Sequence, residues 1–218
     1  TMNLPLLMPG KVIAVGLNYK DHAAEANVPL PEVPVLFTKW TTSLIAHEEN
    51  IIIPSGVTQT DWEAEFAVVI GKKAVRVSEA DALNYVSGYT CMNDVTDREA
   101  QSKDGQWVRS KSYDTYGPIG PRIVPASEIG DPHNLKIEAR LNGKTVQSSN
   151  TSNLIFSIPF LISYISARIT LEPGDVITTG TPHGVGAFSK PPVFMKAGDV
   201  IEVEIEKIGI LRNKVVGA

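Results

Sequence analysis

Three acidic side chains beside apolar runs are the residues of this chain best suited to chemistry. Glu63 and Glu65 lie in the segment Asp61-Trp-Glu-Ala-Glu-Phe66, which leads into an apolar run, and Asp94 lies in the segment 93–98. Carboxylates at the mouth of a buried strand need a compensating positive charge, and a divalent cation is the simplest one. On a strand, Glu63 and Glu65 share a face with Cα atoms about 7 Å apart, so both can bind one ion.

An all-oxygen set of ligands without a His or Cys cluster favours Mg²⁺, Mn²⁺ or Ca²⁺ over Zn²⁺. A Glu-x-Glu pair alone also fits a strand with one solvated face. Glu202, Glu204 and Glu206 alternate in that way, and we assign them no function. The presence of Asp94 downstream of the first pair favours a metal site there.

Other polar residues stand at spacings that suit a site. His22 and Glu25 are three residues apart and share a face on a helix, which fits a surface ion pair or an oriented general base. Arg98 and Gln101 are also one helical turn apart, so on a helix they share a face. The loop 180–186 lacks the spacing of a nucleotide-binding loop. Its amides and the Thr181 hydroxyl can hold a carboxylate, or its glycines can serve a tight turn.

The hydrophobic pattern predicts many short strands and few helices, which indicates a β-rich α+β fold around a folded-over sheet or barrel. Asn142-Gly143 predicts a two-residue hairpin turn. Helices are predicted from His22 to Ala26 with Asp21 as the cap, from Ser78 to about Val86, and within residues 153–168 with Pro159 near the first turn. Strands are predicted at Lys11–Val15, Val35–Lys39, Phe66–Ile70, Leu135–Leu141, Val176–Thr179 and Ile201–Ile205.

Composition limits the classes of function. The chain has 218 residues, a net charge of -4 and a pI near 5.6, which argues against nucleic-acid or anionic-membrane partners. No apolar run reaches the roughly 18 residues that a membrane helix needs. Cys91 is the single cysteine, so no internal disulfide forms and a cytoplasmic location is expected. We predict one catalytic domain over residues 1–218, with residues 1–10 as a short lead-in.

Five segments in this order resemble the catalytic C-terminal domain of the fumarylacetoacetate hydrolase family, across nearly the whole chain. That resemblance implies the folded-over mixed sheet, or β-roll, of the family. The segments are Gly16-Leu-Asn-Tyr-Lys-Asp-His22 with Glu25, Asp61-Trp-Glu-Ala-Glu65, Asn93-Asp-Val-Thr-Asp-Arg98 with Gln101, Lys111-Ser-Tyr-Asp114 leading to Gly117-Pro-Ile-Gly-Pro121, and Gly180-Thr-Pro-His-Gly-Val-Gly186.

The resemblance implies a metal site with open positions. Glu63, Glu65 and Asp94 would hold Mg²⁺ or Mn²⁺, with Ca²⁺ as a further option. The carboxylate and 2-oxo oxygens of a short 2-oxo acid would complete the coordination, and the ion would stabilise an enolate. Family relatives also usually form homodimers, so a homodimer is expected here.

The resemblance also assigns roles around the metal. His22 and Glu25 would activate a water molecule, and Lys111 would act as a catalytic cation on the substrate or its oxyanion. Arg98 and Gln101 would bind substrate oxygens, as would Lys111, while Thr181 in the glycine-rich loop would bind a substrate carboxylate. Lys39 and Arg109 receive no role.

Hydrolysis of a C–C bond in an acylpyruvate-type 2,4-dioxo acid is the function expected first, because the water-activating pair is present. The alternatives are an isomerase or decarboxylase of the 2-hydroxyhepta-2,4-diene-1,7-dioate type, and an oxaloacetate decarboxylase or tautomerase. A non-enzyme alternative is a catalytically silent 2-oxo acid binding protein. Asp97 and Glu99 flank Arg98 where relatives often have Ala-Arg-Asp, so an extra acid is expected beside the site and the substrate stays open.

Overall fold

Strands dominate the architecture, which confirms the prediction of a β-rich α+β fold. The structure is a computed structural model that describes residues 8–218, so residues 1–7 of the predicted lead-in lie outside it. The helices are α1 (Lys20–Ala26), α2 (Arg98–Asp104), α3 (Val108–Lys111), α4 (Ala126–Ile129) and α5 (Ile158–Ser166), with 3-10 turns at Thr41–Ser43, Glu79–Tyr85, Thr151–Asn153 and Gly186–Phe188. The strands are β1 (Val12–Gly16), β2 (Val35–Lys39), β3 (Leu44–Ile45), β4 (Ile51–Ile53), β5 (Thr60–Asp61), β6 (Ala64–Ile70), β7 (Val86–Asn93), β8 (Thr96–Asp97), β9 (Gly117–Pro125), β10 (Lys136–Leu141), β11 (Lys144–Asn150), β12 (Val176–Thr178), β13 (Val200–Ile205) and β14 (Gly209–Gly217).

Two mixed sheets pack on one another within the described residues. The larger sheet has the order β2-β1-β12-β6-β7-β9-β3, and the smaller has the order β11-β10-β13-β14-β4. Strands β10, β13 and β14 lie against β6, β7 and β9, so the inner faces of both sheets share one hydrophobic core. This arrangement is the folded-over sheet that the sequence predicts.

Strand β6 lies near the middle of the larger sheet and is buried at every residue. It runs antiparallel to both β12 and β7, and Ala64 pairs with Asn93. Because the strands are antiparallel, the start of β6 and the end of β7 lie at the same edge of the sheet. The register therefore brings the segment around Glu63 beside the residue that follows Asn93.

Local sequence signals predict several turns and caps correctly. Asn142 and Gly143 join β10 to β11 with φ angles of 51° and 79°, as a type I′ hairpin turn requires. Ser78 caps its helix by accepting a hydrogen bond from the Asp81 backbone N–H, although the helix is of the 3-10 type. Pro159 lies in the first turn of α5, where its missing N–H leaves no hydrogen bond unmade.

The predicted cap of the first helix is wrong. Helix α1 begins at Lys20, one residue before Asp21, and its N-cap Tyr19 makes no side-chain cap hydrogen bond. The Asp21 carboxylate instead accepts hydrogen bonds from Ser149 and Asn153, so it ties α1 to the end of β11. Among residues 8–218, no helix has the length and apolar character needed to cross a bilayer.

Replacing Gly143 by alanine tests the hairpin that supports the smaller sheet. Its φ of 79° is costly for any residue with a Cβ, so Gly143→Ala should lower the free energy of unfolding by about 1–2 kcal/mol. Gly217→Ala is the matched control, because the new Cβ would come no closer than 4.0 Å to a neighbour. Urea denaturation measures both variants, and an equal effect of the two substitutions would contradict the assigned turn.

Candidate metal and active site

Three buried carboxylates meet at the edge where β6 begins and β7 ends. Glu63 precedes β6, Glu65 is its second residue, and Asp94 follows β7 directly. The Asp94 N–H donates to the Glu63 carbonyl at 2.9 Å, and the Asn93 amide oxygen accepts from the Glu63 N–H at 3.0 Å. One oxygen from each of the three acids lies within 4.8 Å of the others, so the triad could hold one divalent ion.

Lys111 is the cation that bridges two of these acids. Its Nζ donates to Glu63 Oε2 at 3.0 Å, to Asp94 Oδ2 at 2.7 Å and to the Thr96 hydroxyl at 2.8 Å. Burial lowers the pKa of Lys111, but the charges of Asp94 and Glu63 outweigh burial and hold the pKa above its ordinary value. Lys111 therefore stays an ammonium group, suited to stabilise negative charge rather than to accept a proton.

Lys39 is a second buried cation at the site, although the sequence gives it no role. Its Nζ donates to Asp94 Oδ1 at 2.7 Å and to the backbone carbonyl of Lys111. Burial lowers the pKa of Lys39, against the opposing effect of the Asp94 charge. Lys39 thus fixes Asp94 from one side while Lys111 binds it from the other.

Arg98 links the acidic triad to a fourth buried carboxylate, Asp61. Its Nε donates to Asp61 Oδ2 at 2.8 Å, and its Nη1 lies 2.8 Å from Glu63 Oε1 and 3.0 Å from the side-chain oxygen of Gln101. Burial raises the pKa of Glu63, but the charges of Lys111 and Arg98 together outweigh burial and lower the pKa to about 2. Glu63 is therefore ionised at neutral pH with its charge compensated by the chain itself.

Glu65 differs from its neighbours because no cationic side chain of the described residues contacts it. Its Oε2 accepts hydrogen bonds from the Thr178 hydroxyl and from the Gly180 N–H, the latter at 2.9 Å. Burial raises the pKa of Glu65 well above its ordinary value, and the charges of Asp94 and Glu63 raise it further. A divalent ion among the three acids would supply the missing positive charge. The all-oxygen donor set fits a hard cation such as Mg²⁺ or Mn²⁺.

His22 and Glu25 form the predicted pair on α1. His22 Nδ1 lies 3.1 Å from Glu25 Oε2, and the other Glu25 oxygen accepts from the Gly184 N–H at 2.9 Å. Burial raises the pKa of Glu25, but the hydrogen bonds from His22 and Gly184 lower it below its ordinary value. An ionised Glu25 accepts the Nδ1 proton, which leaves Nε2 of the imidazole free to accept another.

The amides of the glycine-rich loop mostly bind the carboxylates of the protein itself. Gly180 donates to Glu65 and Gly184 to Glu25, while Gly186 and Ala187 donate to Asp61 at 2.7 and 2.9 Å. These contacts differ from the expectation that loop amides hold a substrate carboxylate. Gly180 and Gly184 also have positive φ angles, as a glycine turn requires. The backbone of the loop therefore fixes three acids around the site, namely Glu25, Asp61 and Glu65.

Most of the site residues predicted from the sequence line one cavity of about 350 Å³. The Thr181 hydroxyl at its wall donates to the Ala64 carbonyl at 2.9 Å and accepts from the Gln147 amide at 2.9 Å. Two predicted site residues, Asp94 and Glu25, do not line the cavity. Lys39 and Lys111 cover the two Asp94 oxygens, and Glu25 lies behind His22, which it contacts. The predicted residues that do line the cavity are His22, Glu63, Glu65, Arg98, Gln101, Lys111 and Thr181.

Asp97, the extra acid expected beside the site, serves as the N-cap of α2. Its Oδ1 accepts from the Glu99 and Ala100 N–H groups at 3.0 and 3.4 Å, and its Oδ2 accepts from the Tyr113 hydroxyl at 3.1 Å. The cap places Arg98 as the first helical residue, facing the triad. Asp97 therefore positions Arg98 at the cavity wall and adds no free charge to the cavity.

Substituting two acids that are two residues apart should change stability in opposite directions. The raised pKa of Glu65 means that its contribution to stability is present below the ordinary pKa of a glutamate and is lost as pH rises above it, so the stability of Glu65→Gln relative to the wild type should increase with pH. The lowered pKa of Glu63 means that its contribution is present above its ordinary pKa, so Glu63→Gln should cost roughly 3 kcal/mol at neutral pH.

Thermal unfolding in a chelator, and then with added Mg²⁺, measures both effects. Magnesium should raise the melting temperature of the wild type and fail to raise that of Glu65→Gln. Glu206→Gln is the control, because Glu206 is exposed in the turn between β13 and β14. A Glu65→Gln protein that is less stable than the wild type at the highest pH, and still stabilised by Mg²⁺, would contradict this account of the triad.

Two sets of known proteins resemble this chain over almost its whole length. The rat mitochondrial oxaloacetate tautomerase Fahd2a is 48% identical over 217 residues, which cover 99% of this chain and 69% of the relative. The structure of a 5-carboxymethyl-2-hydroxymuconate delta-isomerase from Mycobacterium smegmatis has a TM-score of 0.88 at 42% identity, covering 99% of this chain and 82% of that one. For a 2-hydroxyhepta-2,4-diene-1,7-dioate isomerase from Mycobacterium marinum the TM-score is 0.86 at 38% identity, with 98% and 77% covered.

The two isomerases share the fold of this chain as well as its sequence, and the names of all three proteins are those of enzymes. The sequence profile of the fumarylacetoacetate (FAA) hydrolase C-terminal family matches residues 11–216, which include the acidic triad, the His22–Glu25 pair and Lys111. The chain therefore belongs to the fumarylacetoacetate hydrolase family.

Proposed function

We propose that this protein is a divalent-metal-dependent enzyme that interconverts the keto and enol forms of oxaloacetate or a closely similar 2-oxo acid. The observation that carries the proposal is the triad of Glu63, Glu65 and Asp94, with the Lys111 ammonium group bound to Glu63 and Asp94 and the His22 imidazole in the same cavity. The names of the mammalian relatives, oxaloacetate tautomerases, support the choice of substrate. Mg²⁺ or Mn²⁺ is the proposed cofactor.

Arg98 is the group best placed to bind a substrate oxygen. Its Nη2 is buried and has no hydrogen-bond partner among the described residues, while Nε and Nη1 are held by Asp61, Glu63 and Gln101. A buried donor without a partner is costly, so an incoming carboxylate oxygen would satisfy it. The amide nitrogen of Gln101, on the cavity wall, is a further donor for the same substrate. The Thr181 hydroxyl lies on the same wall, but its proton is donated to the Ala64 carbonyl.

Enolate formation needs positive charge near the 2-oxo oxygen, and Lys111 provides it from the protein. Its ammonium group is fixed by three hydrogen bonds, so little reorganisation is needed when negative charge develops nearby. A divalent ion bound by the triad would act there as a Lewis acid on the same oxygen. Lys39 contributes indirectly, because it holds Asp94 in place.

His22 is the proposed proton carrier for tautomerisation. With Nδ1 donating to Glu25, Nε2 can take the proton from C3 of the keto form, and the resulting imidazolium can give a proton to the enolate oxygen to form the enol. The reverse direction uses the same two transfers, from the enol oxygen to Nε2 and from Nε2 to C3. Glu25 is itself fixed by the Gly184 N–H, so the ring has a defined orientation. This places an acid-base group and the cationic groups on the walls of one cavity.

Hydrolysis of an acylpyruvate-type 2,4-dioxo acid is the second candidate, and the His22–Glu25 pair favours it. The same imidazole could take a proton from water, and the cavity of about 350 Å³ leaves room for a water molecule beside a short acid. Decarboxylation of oxaloacetate needs the same enolate stabilisation without a nucleophile. A silent 2-oxo acid binding protein would show metal and ligand binding with no turnover of any of these acids.

Three further expectations stay predictions. They are the cytoplasmic location, the homodimer, and the extent of the catalytic domain over residues 1–218. The mammalian relatives are called mitochondrial in their names, which describes those proteins.

The activity test follows the ultraviolet absorbance of enol oxaloacetate after it is mixed with metal-free protein, and again after Mg²⁺ or Mn²⁺ is added. We expect the enol to reach equilibrium faster with protein and metal together than with either alone. Acetylpyruvate, in parallel, reports hydrolysis through the release of pyruvate. Oxaloacetate that equilibrates at the background rate in the presence of both protein and metal would contradict the proposal.

His22→Ala separates the two candidate reactions. Tautomerisation should fall by about 10²-fold, because solvent water can still carry the C3 proton, while hydrolysis should fall further because it also loses its activated nucleophile. His47→Ala is the matched control, since His47 does not line the cavity and accepts a hydrogen bond from the Arg212 N–H. Equal rates for wild type and His22→Ala with oxaloacetate would remove His22 from the mechanism.

A further inference from the structure

The walls of the cavity divide into a polar half and an apolar half. The polar half contains the acids, Arg98, Gln101, Lys111 and Thr181 described above. The other half is formed by Val15, Leu17, Phe37, Trp107 and Phe188. A volume of about 350 Å³ falls in the range of roughly 300–1,000 Å³ that holds drug-sized ligands. The cavity is therefore larger than a four-carbon acid needs.

Aromatic rings form a continuous series of contacts between the polar and the apolar half of the cavity. The Phe37 ring centroid lies 5.2 Å from Lys111 Nζ, and the same ring meets Trp107 edge-to-face at 5.3 Å. Phe188, also on the cavity wall, packs against the His22 imidazole at 5.7 Å, again edge-to-face. A ligand anchored at Lys111 and extended along this wall would thus pass from Phe37 to Trp107.

Gly16 sets the position of the indole. A Cβ at residue 16 would overlap the six-membered ring of Trp107, so glycine is what allows the ring to lie directly on the end of β1. Trp107 is only partly buried, and it lines the cavity. The indole is therefore a surface on which a planar group of a ligand can pack.

The apolar half offers no positive charge. Within residues 8–218, the lysine and arginine side chains that line this cavity are Lys111 and Arg98, and both are already bound to carboxylates in the polar half. A second substrate carboxylate placed among Phe37, Trp107 and Phe188 would be desolvated without a partner. An apolar group in the same place would gain from burial.

We propose that the apolar half is a binding site for the tail of the substrate, and that the enzyme accepts 2-oxo acids carrying an aromatic or branched apolar group beyond C4. The 2-oxo acid end is anchored in the polar half, so this inference rests on the proposed function. Trp107 and Phe37 are the residues that determine the preference for the tail. A short diacid such as oxaloacetate occupies only the polar half.

Two acids that differ only in the tail provide the test. 2-Oxo-4-phenylbutanoate and 2-oxoglutarate are the same up to C4 and end in a phenyl ring and a carboxylate respectively. Isothermal titration calorimetry on the full chain with Mg²⁺ measures both dissociation constants. We expect the phenyl compound to bind about tenfold more tightly, from burial of the ring on the indole.

Substitutions in the apolar half of the cavity test which residues cause the preference for the phenyl tail. Trp107→Ala should bring the ratio of the two dissociation constants close to one, and Phe188→Ala, at a position 46% exposed, should reduce it without risk to the core. Trp40→Ala is the matched control, since Trp40 is 60% exposed and does not line this cavity, and it should keep the wild-type ratio. A preference that survives both Trp107→Ala and Phe188→Ala would overturn the assigned site.

The outcomes also separate this inference from the proposed function. If both acids bind with equal affinity, or the diacid binds more tightly, the apolar tail site is wrong and the tautomerase proposal is unaffected. If neither acid binds in the presence of Mg²⁺, the anchoring of 2-oxo acids in the polar half fails, and both proposals fail with it.

Discussion

Buried negative charge is the constraint on which the rest of this structure depends. Four carboxylates, contributed by Asp61, Glu63, Glu65 and Asp94, lie together at one edge of the larger sheet, where little water can solvate them. Buried charges persist only when they are paired and hydrogen-bonded. Three of the acids have cationic partners, and Glu65 has hydrogen bonds but no cation. Burial and the neighbouring charges therefore raise the pKa of Glu65, and a divalent ion at the triad would supply the positive charge that favours its ionised form. The cations that neutralise the others are Lys39, Arg98 and Lys111.

The fold explains how acids so distant in sequence come together. The antiparallel register of β6 and β7 fixes Glu63 and Glu65 beside Asp94, and the buried core on both faces of β6 prevents slippage. The glycine-rich loop then holds Glu65, Glu25 and Asp61 through its backbone N–H groups. One loop therefore orients Glu65 of the candidate metal triad, the partner of the proposed base and the partner of Arg98. Such a site keeps its geometry before a ligand arrives, which favours stabilisation of developing charge.

The sequence predicts those features that depend on local pattern or on adjacent strands. Examples are the apolar run from Phe66 to Ile70, the Asn142-Gly143 turn and the spacing of His22 and Glu25. Each of these local patterns predicts the structure that is observed. Lys39 escapes prediction because its partner is Asp94, 55 residues away, and a lone lysine is usually solvated. The role of Asp97 as a cap is visible only once α2 is known to begin at Arg98. The loop amides likewise contact carboxylates more than a hundred residues away, which no local pattern encodes.

The most direct test of the central claim is an X-ray diffraction experiment on crystals soaked in Mn²⁺, with data collected near the manganese absorption edge. The account predicts one strong anomalous peak within about 2.5 Å of oxygens from Glu63, Glu65 and Asp94, with Lys111 and Arg98 still bordering the same cavity. A peak at another cluster of acids, or no peak at the triad when the protein is saturated with metal, would contradict it.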